Sequence, residues 1–269
     1  MHKANNPVFY LNGEFREQDD QQEDENDCFS EAMSLTKEVI RCYPDQDGRA
    51  LFKGIEHCSH FVQRANMYTS SFSYTADQLM SICHKILEIN RLNNAWISLD
   101  LLFTAEHLSL LIRSRSYSTR KPTTLDIRSH EFTLDDPFNE NTMDLSSLDL
   151  LVDSSGKMLG IENTDFYFQH DHTLFTTRPN ALSQTITRGV LQELAKELGY
   201  QVITQDIHLK MLIGVEGAFL AGPLHEIQGI RSVDSIPFRM AWEDTIGFEL
   251  SMAYQRMVRG EWYNDFILV

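Results

Sequence analysis

Few groupings in this sequence could do chemistry unaided. His170-Asp171-His172 sets two imidazoles beside a carboxylate, types that ligate metals, but at a hairpin tip solvation is the expected role. His60, His130, Glu131 and His225 would form an acid–base centre for a cofactor-free enzyme if the fold gathered them. Histidines spread this widely are expected to be packed or exposed instead. The four cysteines, at 28, 42, 58 and 83, lack a Cys-x-x-Cys and all fall in the first third of the chain. That pattern argues against a disulfide framework or a zinc site, and reduced thiols are expected.

Composition narrows the partners. A net charge of −16 over 269 residues speaks against nucleic acid and anionic membrane, since phosphate binding wants clustered Lys and Arg. Glu14 to Asp27 holds eight acids against one arginine and reads as a solvated segment. No apolar run approaches the roughly 20 residues of a membrane helix. The amino terminus has no apolar signal core, so a cytoplasmic protein is expected.

The elements that must position any site follow from periodicity and turn chemistry. Val8 to Leu11 reads as a strand and Asn12-Gly13 as a hairpin turn. Glu38 to Tyr43 and Arg49 to Phe52 are strands about a turn. Ile55 to Met67 is helical, and Thr75 to Asn90 repeats apolar residues at three and four. Trp96 to Phe103 and Leu108 to Ile112 read as paired strands. Arg113 to Thr124 is polar and basic with a proline, the expected interdomain connection. Strands are then expected near Leu125, at 148–152, 158–161, 165–168, 173–176, 202–207, 217–222 and 227–233. Helices are expected over 185–198, with Gly199 as its stop, and over about 244–259. The reading is α+β: a small amino-terminal α/β domain over 1–117, a linker over 118–124 and a larger β-rich domain over 125–269.

Several segments carry a resemblance. Ser183 to Tyr200 (SQTITRGVLQELAKELGY) is similar to the "G-I-T-R … A-x-E-L-G" helix of class IV aminotransferases. Glu216 to Asp234 (EGAFLAGPLHEIQGIRSVD) resembles that family's "D-E-x-F-x-S-G-T-x-x-E-I-T-P-V-R-x-I-D" block. Val8 to Glu14 resembles its opening strand, Glu38 to Tyr43 its "E-G-I-R-x-Y", and Phe52 to His57 its "F-R-x-x-E-H". These matches occur in the family's order, so the chain is identified as resembling fold-type IV enzymes such as branched-chain aminotransferases, D-amino acid aminotransferase and aminodeoxychorismate lyase. The resemblance implies a homodimer with pyridoxal phosphate (PLP) in the cleft between domains.

It also implies which positions to inspect. PLP chemistry needs an amine for a Schiff base, cations and amides for the phosphate, and a carboxylate at the ring nitrogen. Asp126-Ile127-Arg128-Ser129 matches a "D-I-K-S" stretch, so Arg128 stands at the lysine position. A guanidinium is always protonated and has no free lone pair to attack a carbonyl. Lys121 lies about 20 Å back along an extended chain, and Lys157 is expected to point to water. Gly160 falls at the ring-glutamate position, Glu162 is two residues on, and Asp165 replaces an asparagine. His60 stands for the phosphate arginine, with Arg64 one turn further along. Of "G-I-T" the glycine becomes Thr185 while Ile186 and Thr187 survive, and Gly222-Pro223 replaces "G-T". The "Y-G-D-G-x-(F/Y)-E" run becomes Ala32 to Glu38, and Ser98 stands where a substrate-binding arginine or tyrosine is expected.

The reading is a class IV aminotransferase-like protein inactive in PLP chemistry, with no cofactor expected, acting as a scaffold or holding a small anion. Within it, Arg128 is expected to pair with an acid such as Glu131 or Glu162. The alternatives are a working PLP-dependent aminotransferase of branched-chain or D-amino acid type, or an aminodeoxychorismate lyase-like enzyme, needing a lysine such as Lys121.

Overall fold

A computed structural model describes residues 7–18, 32–45, 48–103, 107–117, 124–132, 149–161, 164–179 and 186–259. The chain divides into two compact units, Met1–Ser118 and Thr119–Val269. The connection expected over 118–124 lies almost wholly outside the described residues.

In the first unit, β1 (Val8–Leu11) and β2 (Glu14–Glu17) form a hairpin through Asn12 and Gly13, both at positive φ. A two-residue turn of that hand matches the right-handed strand twist. Residues 14–17, expected to be part of a solvated segment, are therefore an exposed edge strand, because pairing with β1 satisfies their backbone. The remainder of the acidic run lies outside the described residues, apart from position 18. Then come β3 (Met33–Tyr43), β4 (Ala50–Leu51), α1 (Gly54–Tyr68), α2 (Ala76–Ile89), β5 (Ala95–Phe103) and β6 (Leu108–Ser116). The sheet runs β2-β1-β6-β5-β3-β4, antiparallel throughout.

Two boundaries differ from expectation. β3 starts at Met33 rather than Glu38, since residues from Met33 onward pair with β5. Arg113 to Ser116, expected to be linker, continue β6 opposite β5. Cross-strand pairing holds polar residues in strand conformation where composition suggests a loop.

Helix α2 begins with a reciprocal cap: Thr75 Oγ1 accepts from Gln78 N at 3.2 Å, and Gln78 Oε1 accepts from Thr75 N at 2.8 Å. Its Leu79, Cys83, Ile86 and Leu87 join Cys58, Phe61 and Ala65 of α1 over Ile40, Ile97, Leu99 and Ile112 of the sheet. Period-two alternation sends one face of each strand into this core.

The second unit holds β7 (Thr124–Glu131), β8 (Asp149–Val152), β9 (Met158–Gly160), β10 (Asp165–His170) and β11 (Thr173–Thr176). After α3 (Ile186–Glu197) follow β12 (Gln201–Thr204), β13 (Gly217–Gly222), β14 (Glu226–Val233), β15 (Ile236–Pro237) and α4 (Ile246–Val258). The strand order is β12-β11-β10-β13-β14-β7-β8-β9, with β15 on β14. The β11/β12, β14/β7 and β7/β8 pairs are parallel.

Trp242 lies in a slot made by glycines. A Cβ on Gly229 would come within 2.5 Å of its Cδ2, and one on Gly247 within 2.6 Å of its Cζ3. Neither neighbour is the far end of a flexible chain. Gly229→Ala is expected to lower stability by about 1–3 kcal/mol through overpacking. Urea unfolding followed by tryptophan emission measures it, and an unchanged midpoint would show that the ring can move aside.

Candidate functional site

The first unit contains a buried carboxylate shared by two imidazoles. The alternation of β3 puts Glu38 on the helix-covered face with Ile40, opposite Leu99 and Ile97 of β5. His57 and His60, one turn apart on α1, come down onto it. His57 Nδ1 lies 2.6 Å from Glu38 Oε1, and His60 Nδ1 lies 2.9 Å from Glu38 Oε2. Burial alone would raise the Glu38 carboxyl, but the hydrogen bonds from His57 and His60 override it and hold it below the usual range. His57 and Glu38 are nearly sealed, whereas a quarter of the His60 side chain is exposed (25%). Arg64, a helical turn beyond His60, donates from Nη1 to the Lys37 carbonyl at 3.5 Å.

The opposite face of the same sheet is also polar. Ser98 sits across from Val39 on one side and Arg113 on the other. Arg113 Nη2 is 3.5 Å from Asp100 Oδ2, while Ser98 Oγ and Arg113 Nε are buried without a partner. The place of Arg113 beside Ser98 has no local signal in the sequence, because the polar segment that carries it reads as linker. Pairing register against β5 is the one cue that points to it. Arg41 is held structurally, its guanidinium between the Tyr43 and Tyr117 rings and bonded to the Ala95 carbonyl at 2.6 Å.

In the second unit Arg128 is exposed on β7, between buried Ile127 and half-buried Ser129. Among the described residues no ion pair joins it to Glu131, contrary to expectation, because positions three apart on a strand point to opposite faces. Glu162 lies outside the described residues. The neighbours of Arg128 are fixed tightly. Arg231 Nε donates to Asp126 Oδ1 at 2.9 Å, and Nη2 to Oδ2, while Ser232 Oγ bonds Asp126 at 2.8 Å. Ser129 donates from N and Oγ to Asp234 at 2.8 and 2.6 Å. Two sequence blocks that look independent thus clamp β7 to β14.

The other expected positions fall in the same unit. Gly160 closes β9 at φ 134. Ile186 and Thr187 open α3, Thr187 buried; Thr185 lies outside the described residues. Gly222 ends β13, and Pro223, which has no N–H to donate, starts the turn into β14. Arg188, next to Thr187, turns inward: Nη1 donates to Asp165 Oδ1 at 2.9 Å, and Nη2 to Thr176 Oγ1 at 3.3 Å and to the Thr177 carbonyl. Lys157 keeps its side chain partly in water, as expected, and there pairs with exposed Asp206 at 3.1 Å. Lys121 is outside the described residues.

Cation and thiol chemistry find less support. His170, Asp171 and Glu216 bring ligand atoms within 4.8 Å of one another, with His172 outside the group. Glu216 Oε2 already accepts from Gln169 Nε2 at 3.2 Å. Cys42, Cys58 and Cys83 are buried; Cys28 lies outside the described residues. A hydrogen bond with Cys58 and burial push the Cys83 thiol well up, away from the reactive thiolate. No helix among the described residues is long and apolar enough to cross a membrane.

No family model matches the chain. A probable branched-chain-amino-acid aminotransferase of Rickettsia felis is 32% identical over 111 residues, 41% of this chain but only 38% of that protein. The branched-chain-amino-acid aminotransferase of Escherichia coli K12 is 26% identical over 235 residues, covering 74% of this chain and 76% of the enzyme. Among solved structures, a T.th. branched-chain amino acid aminotransferase with pyridoxamine 5'-phosphate superposes with a TM-score of 0.78 at 16% identity, covering 96% of both chains. An Escherichia coli branched-chain amino acid aminotransferase gives 0.77 at 21% identity, again over 96% of each.

Proposed function

Because the homologues of this chain in sequence and fold are branched-chain aminotransferases of class IV, we propose that it is a relative that no longer performs covalent PLP chemistry and binds a small anion. The observation that carries this reading is Arg128. It occupies an exposed place on β7 with no ion pair to its neighbour Glu131, and it cannot serve as an amine nucleophile. Bonds from Asp126 to Arg231 and from Ser129 to Asp234, on either side of it, hold the local register of β7 and support this reading.

The remaining donors support the same reading. Gly160 offers no carboxylate for a ring nitrogen, and Pro223 offers neither a backbone N–H nor a hydroxyl to a phosphate. Lys157 is engaged with Asp206. What remains in each unit suits an anion: the His60 imidazole in the first, and in the second the Arg128 guanidinium and the first turn of α3 around Ile186 and Thr187.

The second reading is a working aminotransferase, favoured by neighbours whose structures contain pyridoxamine 5'-phosphate or N-(5'-phosphopyridoxyl)-L-glutamate. Borohydride reduction of the protein mixed with PLP, followed by peptide mass spectrometry, separates the two. We expect no stoichiometric phosphopyridoxyl adduct. One adduct confined to a single lysine, Lys121 included, would overturn the proposal and restore the enzyme.

A further inference from the structure

We propose that His170, Asp171 and Glu216 form a binding site for a zinc-class divalent ion at the tip of the β10–β11 hairpin. The site lies wholly in the second unit and is independent of what the positions around Arg128 bind.

Proximity alone gives these residues little standing as a cation site; their placement gives them more. Gln169 pairs with Gly217 across β10 and β13, so the next step along the two strands sets His170 against Glu216. The Glu216 N–H, donating to the Gln169 carbonyl at 3.3 Å, holds that step. Side chains opposite each other on antiparallel strands share a face. His170 also pairs with Thr173 to close the hairpin, and Asp171 follows it into the turn at φ 51. One imidazole nitrogen and two carboxylate oxygens thus stand within 4.8 Å of one another. Among the described residues no ion pair joins the imidazole to either carboxylate, so direct contact does not close the gap between them. The donors of a tetrahedral zinc ion lie about 3.4 Å apart for bonds of about 2.1 Å. His170 and Asp171 are exposed and can turn by that much.

Glu216 is held ready from behind. Gln169, 5% exposed, donates from Nε2 to Glu216 Oε2 at 3.2 Å, and its Oε1 accepts from Ile246 N at 2.8 Å. The second bond fixes which way the amide faces, so a donor meets the carboxylate. That bond uses one lone pair of Oε2 and leaves Oε1 of Glu216 for the ion. Hydrogen bonding of this kind orients metal-ligating carboxylates and strengthens the hold on the ion. The donor set then selects the ion. Calcium and magnesium take oxygen ligands and soft Cu(I) takes thiolates, whereas imidazole with carboxylate suits zinc. Three protein ligands leave the remaining position to water. His172, next along the turn, lies outside the group and serves as an internal control.

The test is zinc calorimetry on the whole chain after chelator treatment, with histidine ring ¹⁵N spectra of the same samples. The chain has 10 histidines that can take up zinc loosely, so differences between variants decide. His170→Gln and Glu216→Gln should each weaken the tightest zinc site at least about tenfold, while His172→Gln leaves it unchanged. In the wild type the His170 ring resonances should shift first as zinc is added. An excess of calcium of about tenfold should not reverse that shift. Unchanged zinc affinity in His170→Gln or Glu216→Gln, or its loss in His172→Gln, overturns the site. A His170 ring unmoved at saturating zinc, displacement of zinc by calcium, or no zinc binding at all overturns it equally. The ring spectra read His170 in the unmodified protein, so a variant that folds poorly does not blunt the test.

Discussion

Replacing Arg188 by methionine is expected to cost the second unit about 3–5 kcal/mol, the largest single-residue effect anticipated in this chain. The side chains of Arg188 and Asp165 are 7% and 0% exposed, so removing the cation takes the charged partner at 2.9 Å away from a carboxylate that water cannot reach. The guanidinium also bridges Thr176 and Thr177 at the end of β11, tying α3 to β10 and β11. Denaturant unfolding of Arg188→Met measures the loss. A companion variant, Arg188→Met with Asp165→Leu, should recover much of it, because replacing both members of a buried pair is far less costly than breaking it. A double variant no more stable than the single one would show that Arg188 acts through the threonines and not through Asp165.

The second large effect concerns Glu38. Glu38→Gln keeps the shape but offers one carbonyl oxygen where two imidazoles bonded a carboxylate. Both imidazoles then lose their charged acceptor, and the one left facing the amide NH2 loses its acceptor altogether, a loss of about 1–3 kcal/mol at neutral pH. The pH dependence has a definite sign. The folded Glu38 carboxyl is depressed below its unfolded value of about 4.3. Its contribution is therefore present above that value and is lost as pH falls through the lower folded one. Stability curves of wild type and Glu38→Gln should run apart at neutral pH and converge in acid. Parallel curves down to the acid limb would mean that the carboxylate's ionisation contributes nothing to folding.

Much of the candidate site is legible in the sequence as residue types and little of it as contacts. His57 and His60, at helical spacing, can be placed on one helix, and Glu38 on one strand. The carboxylate that claims His60 lies 22 residues away in sequence, and the cation that claims Asp165 lies 23 away. Neither pairing has a local signature. The segments whose structure departs from expectation have one cause in common. Residues 14–17 and 113–116 are polar, and polar runs look like loops until a partner strand supplies their hydrogen bonds.

What the sequence determined alone is therefore local and chemical: the Asn12-Gly13 turn, the Thr75–Gln78 cap, the apolar stripe of α2, and the absence of an amine at Arg128. Each depends on backbone sterics or on the valence of one side chain. What only the tertiary structure decided is which groups meet. It pairs Glu38 with two histidines, buries Arg188 on Asp165, and clamps β7 to β14 through Asp126–Arg231 and Ser129–Asp234, residues 105 apart. Those contacts arise when burial removes water as the competing partner, so they depend on how the strands and helices pack and not on any stretch of chain read by itself.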